Sequence, residues 1–527
     1  MTTLLYNAKV YHAKSRRPVT ALAIRDGRIL DTGSDQVILD TYGHGADRQD
    51  MQGATLWPGL TDAHLHLEHY ALSLERIDCD GKSLGACLEM VAKKSRQLPP
   101  GDWVLGHGWN QNDWEEGFGT ASMLDQVSGG HPVYLSAKSL HSAWVNTRAM
   151  ELAGIDDRRQ DPPGGTIQHD SQGHASGILF ESAVSLVTSV IPAPSVNQVS
   201  EAIDKTQRIF WQMGLTGVHD FDPPDCFAAL QMLNQRGQLN LRVIKGIPLD
   251  QLPDVIALGL HSGFGDDFLR IGSVKLFADG ALGPHTAAML QPYEDDPANY
   301  GQLMLDAEAI LEYGHRAVEN GLSLAIHAIG DRANHEVLNA YEQLRVYERE
   351  HHLPALRHRI EHVQLLHPQD QARLGQLSII ASMQPIHATS DMKAADRFWG
   401  PRSAGAYAWQ TVLSHHATLA FGSDAPVESP NPFWGLHAAV TRRRQDGSPG
   451  PQGWYSEQRL SLHDALNAYT EGPAYAAGLE NTFGQLGRGF AADLIVLAQD
   501  PFDLPPEQLA GVKPIATMVA GKWVWES

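Results

Sequence analysis

Trp57-Pro58-Gly59-Leu60-Thr61-Asp62-Ala63-His64-Leu65-His66 is the stretch on which the reading of this chain turns. An apolar, β-like run leads into a polar end that carries two histidines one residue apart. Alternate residues of an extended segment share a face, so His64 and His66 can point together. Two imidazoles on one strand end can hold one metal ion. The pair alone is weak evidence, because the chain has 26 histidines and a His-x-His pair should arise about once by chance at that frequency. Its weight comes from its place at the end of a strand.

Three further segments share the same grammar of an apolar strand closed by a polar residue. Leu324-Ala325-Ile326-His327 offers His327, Arg359-Ile360-Glu361-His362 offers His362, and Leu419-Ala420-Phe421-Gly422-Ser423-Asp424 offers Asp424. Between them, buried-type strands alternate with helical patterns, as in βα units with a parallel sheet. Strands are expected at Leu56–Asp62, Pro132–Leu140, Leu215–Asp220, Leu241–Ile247, Ile271–Phe277, Leu322–Ala328, Arg359–Val363, Ile379–Gln384 and Thr418–Gly422. Helical stretches include Val199–Met213, Ala307–Glu319, Ala333–Glu350 and Leu462–Tyr469. A closed (β/α)8 TIM-like barrel takes eight strands and places its active site at their C-terminal ends. The ninth, Pro132–Leu140, lies in residues 75–194, a Gly-, Pro- and Trp-rich stretch too long for an ordinary loop. This stretch is read as an insertion into a barrel spanning 57–481. Residues 1–56 and 482–527 are β-rich, with turn signals at Asp26-Gly27 and Ala520-Gly521, and are expected to form one small β-sandwich.

The whole chain of 527 residues has Lys+Arg 40 against Asp+Glu 61, a net charge of −21. That balance argues against binding to nucleic acid or to an anionic membrane surface. The three cysteines form no CxxC pair, which fits a reducing compartment. No secretory h-region and no long apolar span are visible, so a cytoplasmic location is expected. Four histidines and one aspartate at the ends of different strands suit zinc, with Mn²⁺, Fe²⁺ or Co²⁺ as alternatives.

On these motifs the sequence resembles the amidohydrolase superfamily, in the branch of N-substituted formamide deformylase-like metal-dependent hydrolases (amidohydrolase family 3). The resemblance runs from Pro58-Gly59-Leu60-Thr61-Asp62-Ala63-His64-Leu65-His66 through Gly217-Val218-His219-Asp220 and Val274-Lys275-Leu276-Phe277-Ala278-Asp279-Gly280. It continues through His327-Ala328-Ile329-Gly330-Asp331, Arg359-Ile360-Glu361-His362, Gln384-Pro385-Ile386-His387 and Gly422-Ser423-Asp424-Ala425-Pro426. It ends at Ala491-Ala492-Asp493-Leu494-Ile495-Val496-Leu497.

The resemblance implies two divalent metal ions. His64, His66 and Asp424 would hold one and His327 and His362 the other, with Lys275 bridging them as a CO2-derived carbamate. Motif position selects Lys275; periodicity alone does not, because Lys245 and Lys138 also sit on strand-like runs. Asp424 is the expected catalytic acid–base. Relatives are often dimers, so a homodimer is an expectation.

From the insertion, Trp109, Trp114 and His141 are expected to roof an apolar substrate pocket, and His387 is a further candidate for substrate contact. Ser139-Leu140-His141 stands where this branch often has Asp-Gly-His, so the acidic position is missing. Arg359 is read as support for the His362 strand. The expected activity is hydrolysis of a non-peptide C–N bond in a small, partly apolar substrate such as an N-formyl or N-acyl amine. Deamination, opening of a cyclic amide or lactone, and a catalytically silent regulatory protein are the alternatives.

Overall fold

The computed structural model describes every residue except 13–14, 112–113 and 139–141. Two compact units are present, one of Met1–Tyr70 with Val199–Ser527 and one of Ala71–Gln198.

The expected first barrel strand, Leu56–Asp62, is two strands. Thr55–Pro58 belongs to a terminal sheet and Leu60–Leu65 to the barrel. Gly59 makes the break. A Cβ there would sit 2.3 Å from Thr216 Oγ1, and its N–H bonds Asp493 O at 3.0 Å while that of Leu60 bonds Gly214 O at 3.0 Å. The chain thus changes sheets within one residue, where no side chain fits.

The barrel sheet has eight strands: Leu60–Leu65, Leu215–Asp220, Arg242–Pro248, Leu269–Phe277, Leu324–Ala328, Arg359–His362, Ile380–Met383 and Leu419–Phe421, in that spatial order. Every neighbouring pair is parallel. Beyond the last strand, the N–H of Asp424 bonds His64 O at 2.7 Å and that of His66 bonds Ala425 O at 2.8 Å, which joins the eighth strand end to the first. At the same seam Asp62 accepts from Ser423 N at 3.1 Å and Ser423 Oγ at 2.5 Å. The register pairs Phe277 with His327 and Ala328 with His362, so the polar strand ends lie at one level.

Helices Val196–Gln212, Ala307–Val318, Asp331–Glu350 and Leu462–Ala468 stand where the periodicity predicts them. The first starts earlier than its apolar pattern. Gln198 N donates to Ser195 Oγ at 3.4 Å and Ser195 N to Gln198 Oε1 at 2.9 Å, a reciprocal cap at its N-terminus.

Both chain ends build the smaller sheets of this unit. A six-stranded sheet runs Lys522–Glu526, Pro514–Val519, Leu494–Leu497, Thr55–Pro58, Lys9–His12 and Ser15–Val19. A four-stranded one runs Arg28–Gly33, Ala21–Arg25, Thr3–Tyr6 and Asp47–Asp50. Leu5, Val10, Leu22, Leu56, Leu494, Val496 and Met518 share one buried cluster that spans both. At the hairpin Asp26-Gly27 both φ angles are positive, 52° and 77°, as a two-residue turn of that hand requires.

The unit Ala71–Gln198 has its own six-stranded sheet: Gly165–His169, Ala175–Glu181, Ser142–Val145, Val133–Ala137, Val104–Trp109 and Ile77–Asp78. The apolar run at Pro132–Leu140 is the strand Val133–Ala137 of this sheet and takes no part in the barrel. Among the described residues no helix is long and apolar enough to cross a membrane.

Candidate metal centre

Each candidate ligand sits at or near the C-terminal end of a barrel strand. His64 and His66 close the first strand, Lys275 lies near the end of the fourth, His327 on the fifth, His362 at the end of the sixth and Asp424 just past the eighth. The ligand atoms of His64, His66 and Asp424 all lie within 4.8 Å of one another, as do those of His362, His387 and Asp424. His64 Nε2 is 3.5 Å and His66 Nε2 3.6 Å from the same oxygen, Asp424 Oδ1, while His387 Nε2 is 3.9 Å from Oδ2. The His327 and His362 ring centroids are 4.5 Å apart.

The opposite ring nitrogens are held from behind. His64 Nδ1 meets Glu361 Oε2 at 2.5 Å, His66 Nδ1 meets Asp222 Oδ1 at 3.1 Å, and His362 Nδ1 meets Gln384 Oε1 at 2.9 Å. Each acceptor fixes the Nδ1–H tautomer and leaves the Nε2 lone pair facing the centre, the usual arrangement behind metal-bound histidines. His327 has its Nε2 on Gly280 O at 2.9 Å, so its Nδ1 carries the lone pair.

The supports are themselves anchored. Arg359 Nη2 donates to Glu361 Oε2 at 2.9 Å, Ser382 Oγ at 2.6 Å and Ala63 O at 2.7 Å, and Nη1 donates to His219 Nδ1 at 2.8 Å. Burial works against the Glu361 carboxylate, but the Arg359 and Lys275 charges outweigh it and hold its pKa below the usual range. Asp222 accepts from His66, from His69 and from the backbone N–H of Glu68.

Asp222, Glu361 and Gln384 were not singled out from the sequence. Glu361 and Gln384 lie inside quoted motifs, and Asp222 is two residues past the end of Gly217-Val218-His219-Asp220. That proximity was the only signal.

The electrostatics suit cation binding. Burial first, then the Lys275 charge, pushes the His64 imidazole well below its ordinary pKa and takes His327 to about 4, so both stay neutral with free lone pairs. Lys275 is 5% exposed and has no carboxylate within ion-pair distance among the described residues. Its Nζ lies 4.8 Å from the Phe221 ring and 5.0 Å from the Phe277 ring. Burial lowers its pKa to about 8. Burial also raises the Asp424 carboxyl above the usual range. His387 Nε2 is buried with no hydrogen-bond partner among the described residues. The convergent imidazoles of His64 and His66 and the shared Asp424 carboxylate form a donor set that divalent N/O-binding ions fit.

Two sequence expectations are corrected. Trp109 and Trp114 are core residues of the unit Ala71–Gln198, 0% and 6% exposed, packed with Leu124, Leu135 and Trp144. Their indole N–H groups donate to Leu135 O at 2.7 Å and Lys82 O at 2.8 Å. Large flat rings in a Gly-rich stretch read equally well as a pocket roof or as a core, and here they fill the core. His141 lies outside the described residues.

A parallel eight-stranded barrel with histidines and an aspartate converging at its strand ends is the architecture of a metal-dependent barrel protein. The profile of the amidohydrolase family matches residues 48–525, and the chain belongs to that family. It is 33% identical to the putative amidohydrolase YtcJ of Bacillus subtilis, over 96% of both chains. It is 26% identical to the N-substituted formamide deformylase of Arthrobacter pascens, over 98% of this chain and 97% of that one. Among solved structures, an uncharacterized metal-dependent hydrolase from Pyrococcus furiosus superposes with a TM-score of 0.80 at 29% identity, over 95% of this chain and all of the other.

Proposed function

We propose that this metal-dependent amidohydrolase cleaves the C–N bond of a small, partly apolar amide, an N-formyl or N-acyl amine. The observation that carries the reading is the convergence of His64 Nε2 and His66 Nε2 on one oxygen of Asp424, with both opposite nitrogens held by carboxylates. In this reading His64, His66 and Asp424 would hold one divalent ion and His327 and His362 a second, both zinc, with Lys275, as a carbamate, a shared ligand. When bound, such ions make water acidic enough to deprotonate near neutral pH and polarise a carbonyl.

The chain's own groups do the proton work. Asp424 takes one proton from water as the water oxygen bonds the carbonyl carbon. As the C–N bond breaks, Asp424 returns that proton to the departing nitrogen; the other water proton stays on the new acyl oxygen, so the products leave as a carboxylic acid, which ionises in water, and an amine. Its raised pKa suits a group that must hold a proton briefly. In this reading His387, whose Nε2 is unpartnered and 3.9 Å from Asp424 Oδ2, would donate its Nε2–H to the carbonyl oxygen as it gathers charge. The name of the Arthrobacter relative, which acts on N-substituted formamides, supports an N-formyl substrate.

Asp424→Asn tests the assignment. Metal content should largely stay while turnover falls by roughly 10²–10⁴-fold; equal loss of both would leave Asp424 a ligand only. Metal-loaded protein should cleave N-formyl and N-acetyl amines in a panel that also holds cyclic imides, lactones and aminopyrimidines. Cleavage confined to lactones or aminopyrimidines would overturn the amide reading.

A further inference from the structure

Beside Lys275 the strand ends and the segments that follow them line a half-open recess of about 330 Å³. Phe221, Pro248, Leu249, Phe277 and Leu305 wall it, and Asp250 is the acidic residue among its lining. The rings of Phe221 and Phe277 bracket the Lys275 head. Pro248 pairs with Lys275 across the third and fourth barrel strands, so the short turn Leu249–Gln251 begins one residue beyond the lysine's neighbour. Phe277 is 48% exposed and lines the recess. Asp250 is exposed; its one hydrogen bond is from Gln251 Nε2 at a long 3.4 Å, and it has no ion-pair partner among the described residues.

A largely apolar recess with Lys275 at its inner end and the exposed, ion-pair-free carboxylate of Asp250 in its lining has a definite complement. We propose that this cavity holds the non-reacting arm of the substrate, and that the arm is apolar or aromatic and ends in a cation, an ammonium or guanidinium group. The inference rests on the amide-hydrolase reading for the position of the scissile bond beside Lys275. An aromatic or short alkyl arm fills the recess walled by Pro248, Leu249, Phe277 and Leu305, where offset or edge contacts with the Phe277 ring are favourable. The cation then meets Asp250. A carboxylate-ended arm would meet a like charge. The net charge of −21 draws cations toward the molecule at long range as well.

The test uses the metal-loaded full chain and three probes that share a phenylethyl body, 2-phenylethylammonium, 2-phenylethanol and 3-phenylpropionate, titrated by calorimetry. Wild type should bind the ammonium about fivefold tighter than the alcohol at low salt, the upper range for a solvent-exposed ion pair. The preference should shrink in 0.5 M salt, about five times the ionic strength at which the screening length is ~10 Å. Asp250→Asn should abolish it, and Asp250→Lys should turn it toward the carboxylate. Equal affinity of wild type and Asp250→Asn for the ammonium probe would overturn the proposal, as would failure of wild type to bind any probe. The two readings fail separately. Protein that cleaves no amide but keeps an Asp250-dependent ammonium preference refutes the hydrolase and leaves the pocket standing. Protein that cleaves amides with neutral and cationic arms equally well, in wild type and Asp250→Asn alike, refutes the pocket alone.

Discussion

Lys245 Nζ lies 2.8 Å from Asp220 Oδ2, with side-chain exposures of 1% and 0%. Burial works against this ammonium, but the Asp220 charge outweighs it and holds the lysine pKa above its ordinary value. Lys245 is therefore a structural cation. On the next strand, Lys275 has no such carboxylate, and burial lowers its pKa to about 8. Of these two strand lysines, which looked alike as sequence, only Lys275 is available to change its chemistry.

Replacement should separate them. Lys245→Met leaves Asp220 buried and unpaired, and should cost about 3–5 kcal/mol of stability in a denaturant titration. Lys275→Ala should lose at least one metal ion and nearly all activity, with formate or acetate partly restoring both by occupying the vacated bridge. A Lys275→Ala protein with two ions and normal turnover, and no added acid, would refute the bridging role.

His219 should make the fold acid-sensitive. Its Nδ1 accepts from Arg359 Nη1 at 2.8 Å, so the buried ring is neutral. Burial first, then the Arg359 charge, lowers its pKa from 6.5 to about 3. Below pH 6.5 the unfolded chain takes up a proton that the folded ring refuses. The stability contribution is whole above pH 6.5 and drains away as pH falls toward about 3. His219→Gln keeps an oxygen acceptor for Arg359 but cannot titrate. Its melting temperature should fall less steeply than that of wild type between pH 6.5 and 4, followed by calorimetry on metal-free protein; parallel slopes would exclude His219 as the cause.

Trp109 now predicts a folding defect. Removing a fully buried indole should destabilise the unit Ala71–Gln198 by roughly 3–5 kcal/mol. Thermal unfolding with limited proteolysis across residues 71–198 should report this for Trp109→Ala, while metal content stays near wild type. A Trp109→Ala protein of normal stability but altered KM would return Trp109 to the substrate.

Removing residues 488–527 should fail differently. It takes away three strands of the six-stranded terminal sheet, Leu494–Leu497, Pro514–Val519 and Lys522–Glu526. It also removes Asp493, the partner of Arg242 at 2.9 Å. Apolar partners such as Leu5 and Leu56 would face water. The truncated chain should bind a hydrophobic dye and lose solubility; a soluble chain with unchanged melting would contradict the shared core.

The barrel strands and their polar ends were legible because burial writes a local pattern. An apolar run closed by His or Asp looks the same in sequence as at the mouth of a barrel, and His64, His66, His327, His362 and Asp424 were read from it. The order of the motifs, and the resemblance they carry, added Lys275. The break at Gly59 was missed because both of its flanks are apolar; only the approach of Thr216 from another strand forbids a side chain there. The fate of a polar or aromatic group depends on what meets it through space, and sequence distance does not encode that. Glu361 reaches His64 across 297 positions and Asp222 reaches His66 across 156. Trp109 turned inward because Leu135 offered its carbonyl. Local periodicity therefore settled where the strands end and which residues close them, whereas packing across the sheets decided which lysine is free, which imidazole nitrogens face inward and which tryptophans are core.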